Sequence, residues 1–214
     1  TIWKWLAGAM ATAACLTAFG MFLWSDRDAA QKELVPQQIV YLAEANDCLE
    51  LPDGSRVWLD AGSSVTYPED MTNSRVVSLS GNAVFDVTKK ESGQNFIVKL
   101  YDSYIEVKGT SFSVNWRGAD IVYVTLYSGA VDFVAETTGQ KVSLTPSNRL
   151  AFSPAASTIS MAPFFNGISW KDGNYIIENA SLGDIVEFIC WNWSINVTTG
   201  PSIGNGQRVN GKIM

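Results

Sequence analysis

The chain has 214 residues, 47% of them hydrophobic, a formal net charge of −6 and no histidine. That length supports one or two domains with real cores, and an acidic balance without a Lys/Arg cluster argues against a nucleic-acid surface. The lack of histidine removes Ser–His and Cys–His nucleophile pairs and His-ligated metal sites, so no metal or cofactor is expected.

The first element is an uncharged run from Trp5 to Trp24. At about 1.5 Å per residue it reaches roughly 30 Å, the thickness of a bilayer's hydrocarbon core. Trp3, Trp5 and Trp24 sit at its ends, where amphipathic rings favour the interface. Residues 1–24 are therefore expected to form a transmembrane helix. A signal peptide is disfavoured because no small-residue cleavage site follows, and a lipoprotein signal because apolar residues continue past Cys15. Residues 25–36 read as a polar connector stopped by Pro36. The chain starts at Thr1, close to the apolar run, and ends abruptly in Gln-Arg-Val-Asn-Gly-Lys-Ile-Met, so it reads as a piece of a longer protein.

From residue 37 to about 157 the period changes to two. The segments 75–87, 96–100, 104–116, 122–135 and 141–145 each alternate apolar and polar residues, with turn residues such as Pro52-Asp53-Gly54 and Ser128-Gly129 between strands. This predicts an antiparallel β-sandwich or roll. Residues 165–214 read as a truncated β-α-β unit. It has a strand over 174–178, a helix capped by Ser181 with Asp184 three residues on, a further strand over 194–199, and another beginning near Gln207. Leu182, Ile185, Val186, Ile189 and Trp193 share one helical face. The fold class expected is mainly β with one N-terminal helix and this small tail. The widely separated Cys15, Cys48 and Cys190 show no metal-binding spacing. A Cys48–Cys190 disulfide is conceivable, but separate buried thiols are the favoured reading.

Two stretches invite a chemical reading. Asp60-Ala61-Gly62-Ser63-Ser64 lies one residue from the Asp-Thr-Gly-Ser-Ser loop of aspartic proteases. Those enzymes need two carboxylates sharing a proton. No second such motif occurs here, so a turn after Trp58-Leu59 is expected instead. Gly109-Thr110 carries the minimum for an N-to-O acyl shift: a hydroxyl next to a carbonyl whose glycine tolerates strain. The plainer reading is a bulge or a close backbone approach. Of the tryptophans beyond the apolar run, Trp58, Trp116, Trp170 and Trp191 show no solvent-facing row and are read as packing residues, with Trp193 in the helix core.

The segment Leu-Pro-Asp-Gly-Ser-Arg-Val-Trp-Leu-Asp-Ala-Gly-Ser-Ser-Val-Thr-Tyr-Pro, Leu51 to Pro68, is followed by Leu79, Gly81, Ala83, Phe85 and Val87, then Phe96 and Val98. Next come Val107, Gly109, Thr110, Phe112 and Val114, then Val124-Thr125-Leu126, Gly129 and Val131. The tail adds Trp170, Gly173, Asn179, Leu182 and Ile185. Together these resemble the FecR-type anti-sigma factors, single-span inner-membrane regulators of bacterial cell-surface signalling, in their Bacteroidetes branch. Where that family turns through Gly-Glu or Gly-Gln after Leu144-x-Pro146, this chain has Ser147-Asn148-Arg149. The resemblance implies a non-enzymatic relay with its bulk in the periplasm. Its outer partner would be the signalling domain of a TonB-dependent outer-membrane transducer. Its inner partner would be an extracytoplasmic-function (ECF) sigma factor, gripped by a cytoplasmic region that this chain does not include. Asp184 and Glu187, beside the apolar stripe of the tail helix, are the candidate transducer contacts. Gly109–Thr110 becomes a candidate self-cleavage bond, because some relatives break at the matching Gly-Thr. The rival readings are a membrane-anchored sandwich that binds carbohydrate through Trp58 or Trp116, and a structural envelope protein.

Overall fold

The computed structural model describes residues 37–213 apart from 118–120, 163, 194, 199 and 201–205. The candidate span Trp5–Trp24, the connector 25–36 and Cys15 lie outside the described residues. Among the described residues no helix is long and apolar enough to cross a membrane.

The two-residue period produces strands β1 (Gln38–Leu42), β2 (Asp47–Glu50), β3 (Arg56–Leu59), β4 (Ser64–Pro68), β5 (Val76–Ser80), β6 (Ala83–Val87) and β7 (Phe96–Lys99). They continue with β8 (Ser103–Val107), β9 (Thr110–Arg117), β10 (Ile121–Ser128), β11 (Val131–Ala135), β12 (Gln140–Leu144), β13 (Asn148–Ser153) and β14 (Thr158–Ala162). Two sheets result. The first runs β1-β4-β5-β7-β8-β11-β12 and the second β14-β13-β10-β9-β6-β3-β2. All pairings within them are antiparallel except β5 with β7, which is parallel because β6, between them in sequence, crosses to the second sheet. The expected sandwich is present, with that one parallel join inside it.

Alternation places one apolar set from each sheet in a shared core. The first sheet contributes Val65, Val77, Phe96, Val98, Ile105 and Phe133, and the second Val57, Phe85, Phe112, Val124, Leu150 and Phe152, all essentially buried. Phe85 stacks on Phe112 at 5.1 Å and meets Phe96 edge-on at 6.4 Å. Each fully buried ring of this kind contributes about 2–3 kcal/mol.

The outer face of the second sheet departs from the usual polar-out pattern. Val84, Ser113, Asn115, Thr125 and Arg149 point away from the core yet are buried, because the C-terminal elements cover them. These elements are β15 (Ile168–Lys171), β16 (Asn174–Ser181), the helix α1 (Leu182–Trp193) and β17 (Arg208–Ile213). Lys171 pairs with Asn174 across Asp172-Gly173, whose φ values of 48° and 79° are those of a two-residue hairpin turn. The strands form an antiparallel sheet in the order β15-β16-β17. The expected strand over 194–199 is not formed at residues 195–198. Ile195 and Val197 are 48% and 40% exposed and find no ladder partner. The strands flanking the helix are therefore antiparallel neighbours, not the parallel pair of a β-α-β unit.

Candidate functional site

The Asp-Ala-Gly-Ser stretch is a turn, as expected. Strand β3 stops at Leu59, the Ser63 amide donates to the Asp60 carbonyl (2.9 Å), and the Gly62 amide donates to the Ala43 carbonyl (2.8 Å). Ser63 Oγ then accepts from the Asn82 amide at 2.8 Å, tying this turn to the one between β5 and β6. Among the described residues no cluster of carboxylates, cysteines or histidines could hold a metal ion. Cys48 and Cys190 are separate thiols, but Cys48 is exposed and Cys190 half-buried, contrary to the expected burial.

At the opposite end of β3 the structure holds a charge pair that sequence reasoning missed. Asp53, from the Leu-Pro-Asp-Gly-Ser opening, and Arg75, just before β5, have side chains 1% and 0% exposed and meet at 2.7 Å. The Asp53 carboxylate also accepts from the Ser55 amide and hydroxyl, both at 2.9 Å. The Arg75 guanidinium donates to the carbonyls of Thr88 (2.7 Å) and Gln94 (3.1 Å) and lies over the Phe96 ring at 5.2 Å. Each guanidinium nitrogen and both carboxylate oxygens are thus engaged, as a buried ion pair needs. The only sequence signal was an arginine at the head of an apolar strand.

At the candidate cleavage bond, Gly109 sits in the bend between β8 and β9, and Thr110 is 4% exposed. Thr110 Oγ1 donates to the Ala130 carbonyl at 2.9 Å. Gly129, at φ +88°, passes so close that a Cβ there would lie 2.6 Å from the Gly109 carbonyl oxygen and 2.8 Å from Thr110 Oγ1. Gly109 is itself at a close approach, since a Cβ on it would lie 2.5 Å from Lys89 Cβ and 3.1 Å from Lys89 Cα. A cleft of about 520 Å³ opens on the same bond, and its walls include Lys89, Glu106, Asp132 and Lys141. Lys141 Nζ is 2.8 Å from Asp132 and 4.0 Å from Glu106. The hydrogen bonds from Lys141 and Ser143 hold the Asp132 carboxyl below its ordinary range, and Asp132 in turn raises Lys141. Acid and base groups are thus present beside the bond without histidine.

On α1, Ser181 Oγ accepts from the Asp184 amide at 3.0 Å and its hydroxyl donates to the Asp184 carboxylate. The capping role of Ser181 is as expected, and it leaves Asp184 half-buried while Glu187 is exposed. Ile185 and Phe188 are the buried anchors of the helix. Phe188 was not in the expected stripe, and Trp193, expected in the core, is 42% exposed.

The seam between the second sheet and the C-terminal elements is aromatic. Trp58 meets Trp170 edge-on at 5.2 Å, and Tyr123 meets Trp191 at 4.3 Å. Arg149, 3% exposed, lies 3.6 Å from the Trp191 ring centre, 4.6 Å from Tyr123 and 4.9 Å from Phe165. Such cation–π contacts contribute about 0.5–2 kcal/mol each. The residues after Pro146 have clear roles. Ser147 takes the left-handed conformation at φ 64°, and Arg149 pins the C-terminal elements. The Asp172-Gly173 turn closes the other end: Arg56 pairs with Asp172 at 3.3 Å, and a Cβ on Gly173 would lie 2.9 Å from Trp58 Nε1. Burial raises the Tyr127 and Tyr175 phenols above their ordinary range, Tyr175 well above, so both hydroxyls stay protonated within the seam.

Comparison with known proteins agrees with this architecture. A family model described as "FecR protein" matches residues 43–132, which is β2 through the start of β11 and includes both turns and the Gly109–Thr110 bond. No curated protein matches the chain. Two crystal structures of a "putative anti-sigma factor" from Parabacteroides distasonis superpose with a TM-score of 0.54 at 20% identity, covering 83% of this chain and 84% of theirs. At that identity the likeness speaks for the fold.

Proposed function

Taking as premise that this chain belongs to the FecR family through its domain at residues 43–132, we propose that it is an anti-sigma regulator relaying a signal across the bacterial inner membrane. The bulk of the chain lies in the periplasm, anchored by the span Trp5–Trp24. An outer-membrane TonB-dependent transducer engages the C-terminal elements, and an extracytoplasmic-function sigma factor is the output partner. The observation that carries the reading is the FecR match over a sandwich whose second sheet is partly covered on its outer face by the C-terminal elements. A partner acting on those elements biases the relay only by its differential affinity for two states. A coupling of about 1–3 kcal/mol corresponds to a change of about 5–150-fold.

A transcriptional reporter on the cognate sigma-dependent promoter tests this. Deleting the gene changes reporter output within that range. Glu187→Lys abolishes the response to inducer while leaving the melting temperature unchanged, since Glu187 is exposed and Asp184 is not a clean probe of binding. If deletion leaves every neighbouring transport gene at its wild-type level, the relay reading fails and a structural envelope role replaces it.

The Gly109–Thr110 geometry supports a single self-cleavage event as part of this role. Thr110 Oγ attacks the Gly109 carbonyl carbon, the C–N bond breaks with the amine taking a proton, and water hydrolyses the resulting ester. The buried Thr110 hydroxyl and the Lys/Asp/Glu cleft beside the bond favour it. Denaturing electrophoresis of the purified chain should show two roughly half-sized pieces with Thr110 as a new amino terminus, and a single band for Thr110→Ala. An intact wild-type chain after prolonged incubation rejects the step without touching the relay.

A further inference from the structure

A cavity of about 330 Å³ opens on the seam between the second sheet and the C-terminal elements. The rings of Trp58, Trp170, Tyr175 and Trp193 line it. They hold one another edge-on, with Trp170 and Tyr175 at 4.7 Å and Tyr175 and Trp193 at 6.0 Å. Trp193 keeps 42% of its surface exposed, so a large ring is presented to the opening and not withdrawn into the core.

Polar amides line this cavity as well. Asn115, on the outer face of β9, is only 9% exposed and lines it together with Asn46 and Asn192. A hydrogen-bonding occupant would engage such groups. A purely apolar occupant would not.

Charge narrows the class further. No lysine or arginine is among the lining residues, whereas Asp47 and Asp60 are, so an anion finds no counter-charge. A cation is little better served, because the Asp47 carboxylate is already taken by the Tyr41 hydroxyl and the Cys48 amide, and edge-on rings do not form an open box of π-faces. We infer that the cavity binds a neutral, polyhydroxylated ring, a mono- or disaccharide, with its C–H face against indole and its hydroxyls exchanging hydrogen bonds with Asn115. The volume lies at the small end of ligand sites, which run to about 300–1,000 Å³, in keeping with one or two sugar rings. Its walls come from both sides of the seam, so an occupant ties the C-terminal elements to the sandwich and stabilises their docking by mass action. The inference does not depend on the relay reading, and its test involves no sigma factor.

Titration calorimetry and tryptophan fluorescence on the full chain, in a detergent without sugar headgroups, decide the matter. The neutral probes are maltose, cellobiose and N-acetylglucosamine, with choline and gluconate as charged controls. At least one neutral saccharide should bind saturably in the millimolar range or tighter and shift the tryptophan emission. Asn115→Ala should weaken that binding by about tenfold, equivalent to about 1.4 kcal/mol, without lowering the melting temperature. Trp193→Ala should remove it, whereas Trp116→Phe, in a cleft lined by Trp116 and Pro154, should leave it intact. No saturable binding of any of the three saccharides overturns the inference. So does preferential binding of choline or gluconate, or unchanged binding by both Asn115→Ala and Trp193→Ala.

Discussion

Arg75→Met destabilises the folded chain by about 3–5 kcal/mol, because it leaves the Asp53 carboxylate buried and unpaired. For a unit of this size that is a drop in melting temperature of about 6–20 °C. The removed guanidinium also abandons the Thr88 and Gln94 carbonyls, which it now satisfies at 2.7 and 3.1 Å. Asp53→Leu alone is comparably harmful, since the Ser55 amide and hydroxyl lose their acceptor. The double replacement should cost distinctly less than the sum of the two singles, the signature of a coupled pair. Denaturant unfolding of the four proteins measures the coupling. Strict additivity would mean that the pair contributes nothing beyond its separate contacts.

The second large effect is expected at Gly129. Substitution to alanine forces a Cβ to 2.6 Å from the Gly109 carbonyl oxygen and 3.0 Å from Thr110 Cα, and both are backbone atoms that cannot rotate away. Left-handed strain adds about 1–3 kcal/mol and the steric overlap a further 1–3 kcal/mol or about that. Gly139→Ala provides the control: its φ is +67° but nothing lies within 4 Å of the added carbon, so only the strain remains. Unfolding free energies should rank wild type, then Gly139→Ala, then Gly129→Ala well below. Equal losses for the two variants would show that the crowding against Gly109 is relieved at no cost.

What the sequence made legible follows from the range of the interactions. Alternation within 75–87 or 122–135 is a local signal and located β5, β6, β10 and β11 to within a residue or two. The Ser181 cap is equally local. The parallel β5–β7 join was not legible, because the two-residue period is the same whichever way neighbouring strands run. Asp53 announced a turn, but its partner Arg75 lies 22 residues away and reads only as a strand's first polar residue. Ile195 and Val197 carried a strand pattern without an edge to pair with, and pattern alone does not make a strand. Asn115 and Arg149 looked like ordinary outward polar positions. Only the C-terminal elements lying over them turn these residues into buried groups with a part in the seam.

The strand order has a mechanical consequence. Divided at residues 109 and 110, the chain contributes β1 to β8 on one side and β9 to β17 on the other. Among the described residues only two ladders cross that divide: β8 with β11, through four residue pairs, and β6 with β9, through five. Were the chain held before residue 37 and pulled at its C-terminal elements, as the proposed relay requires, the peptide bond at 109–110 would join the two halves covalently as long as it is whole. Once the bond is cut, the load would pass to those two ladders, the core beneath them and the Trp58–Trp170 and Arg56–Asp172 contacts of the seam. The same pull then separates two chains where before it had to unravel one. Where the two halves of a cleaved chain would part is thus set by which strands happen to be neighbours.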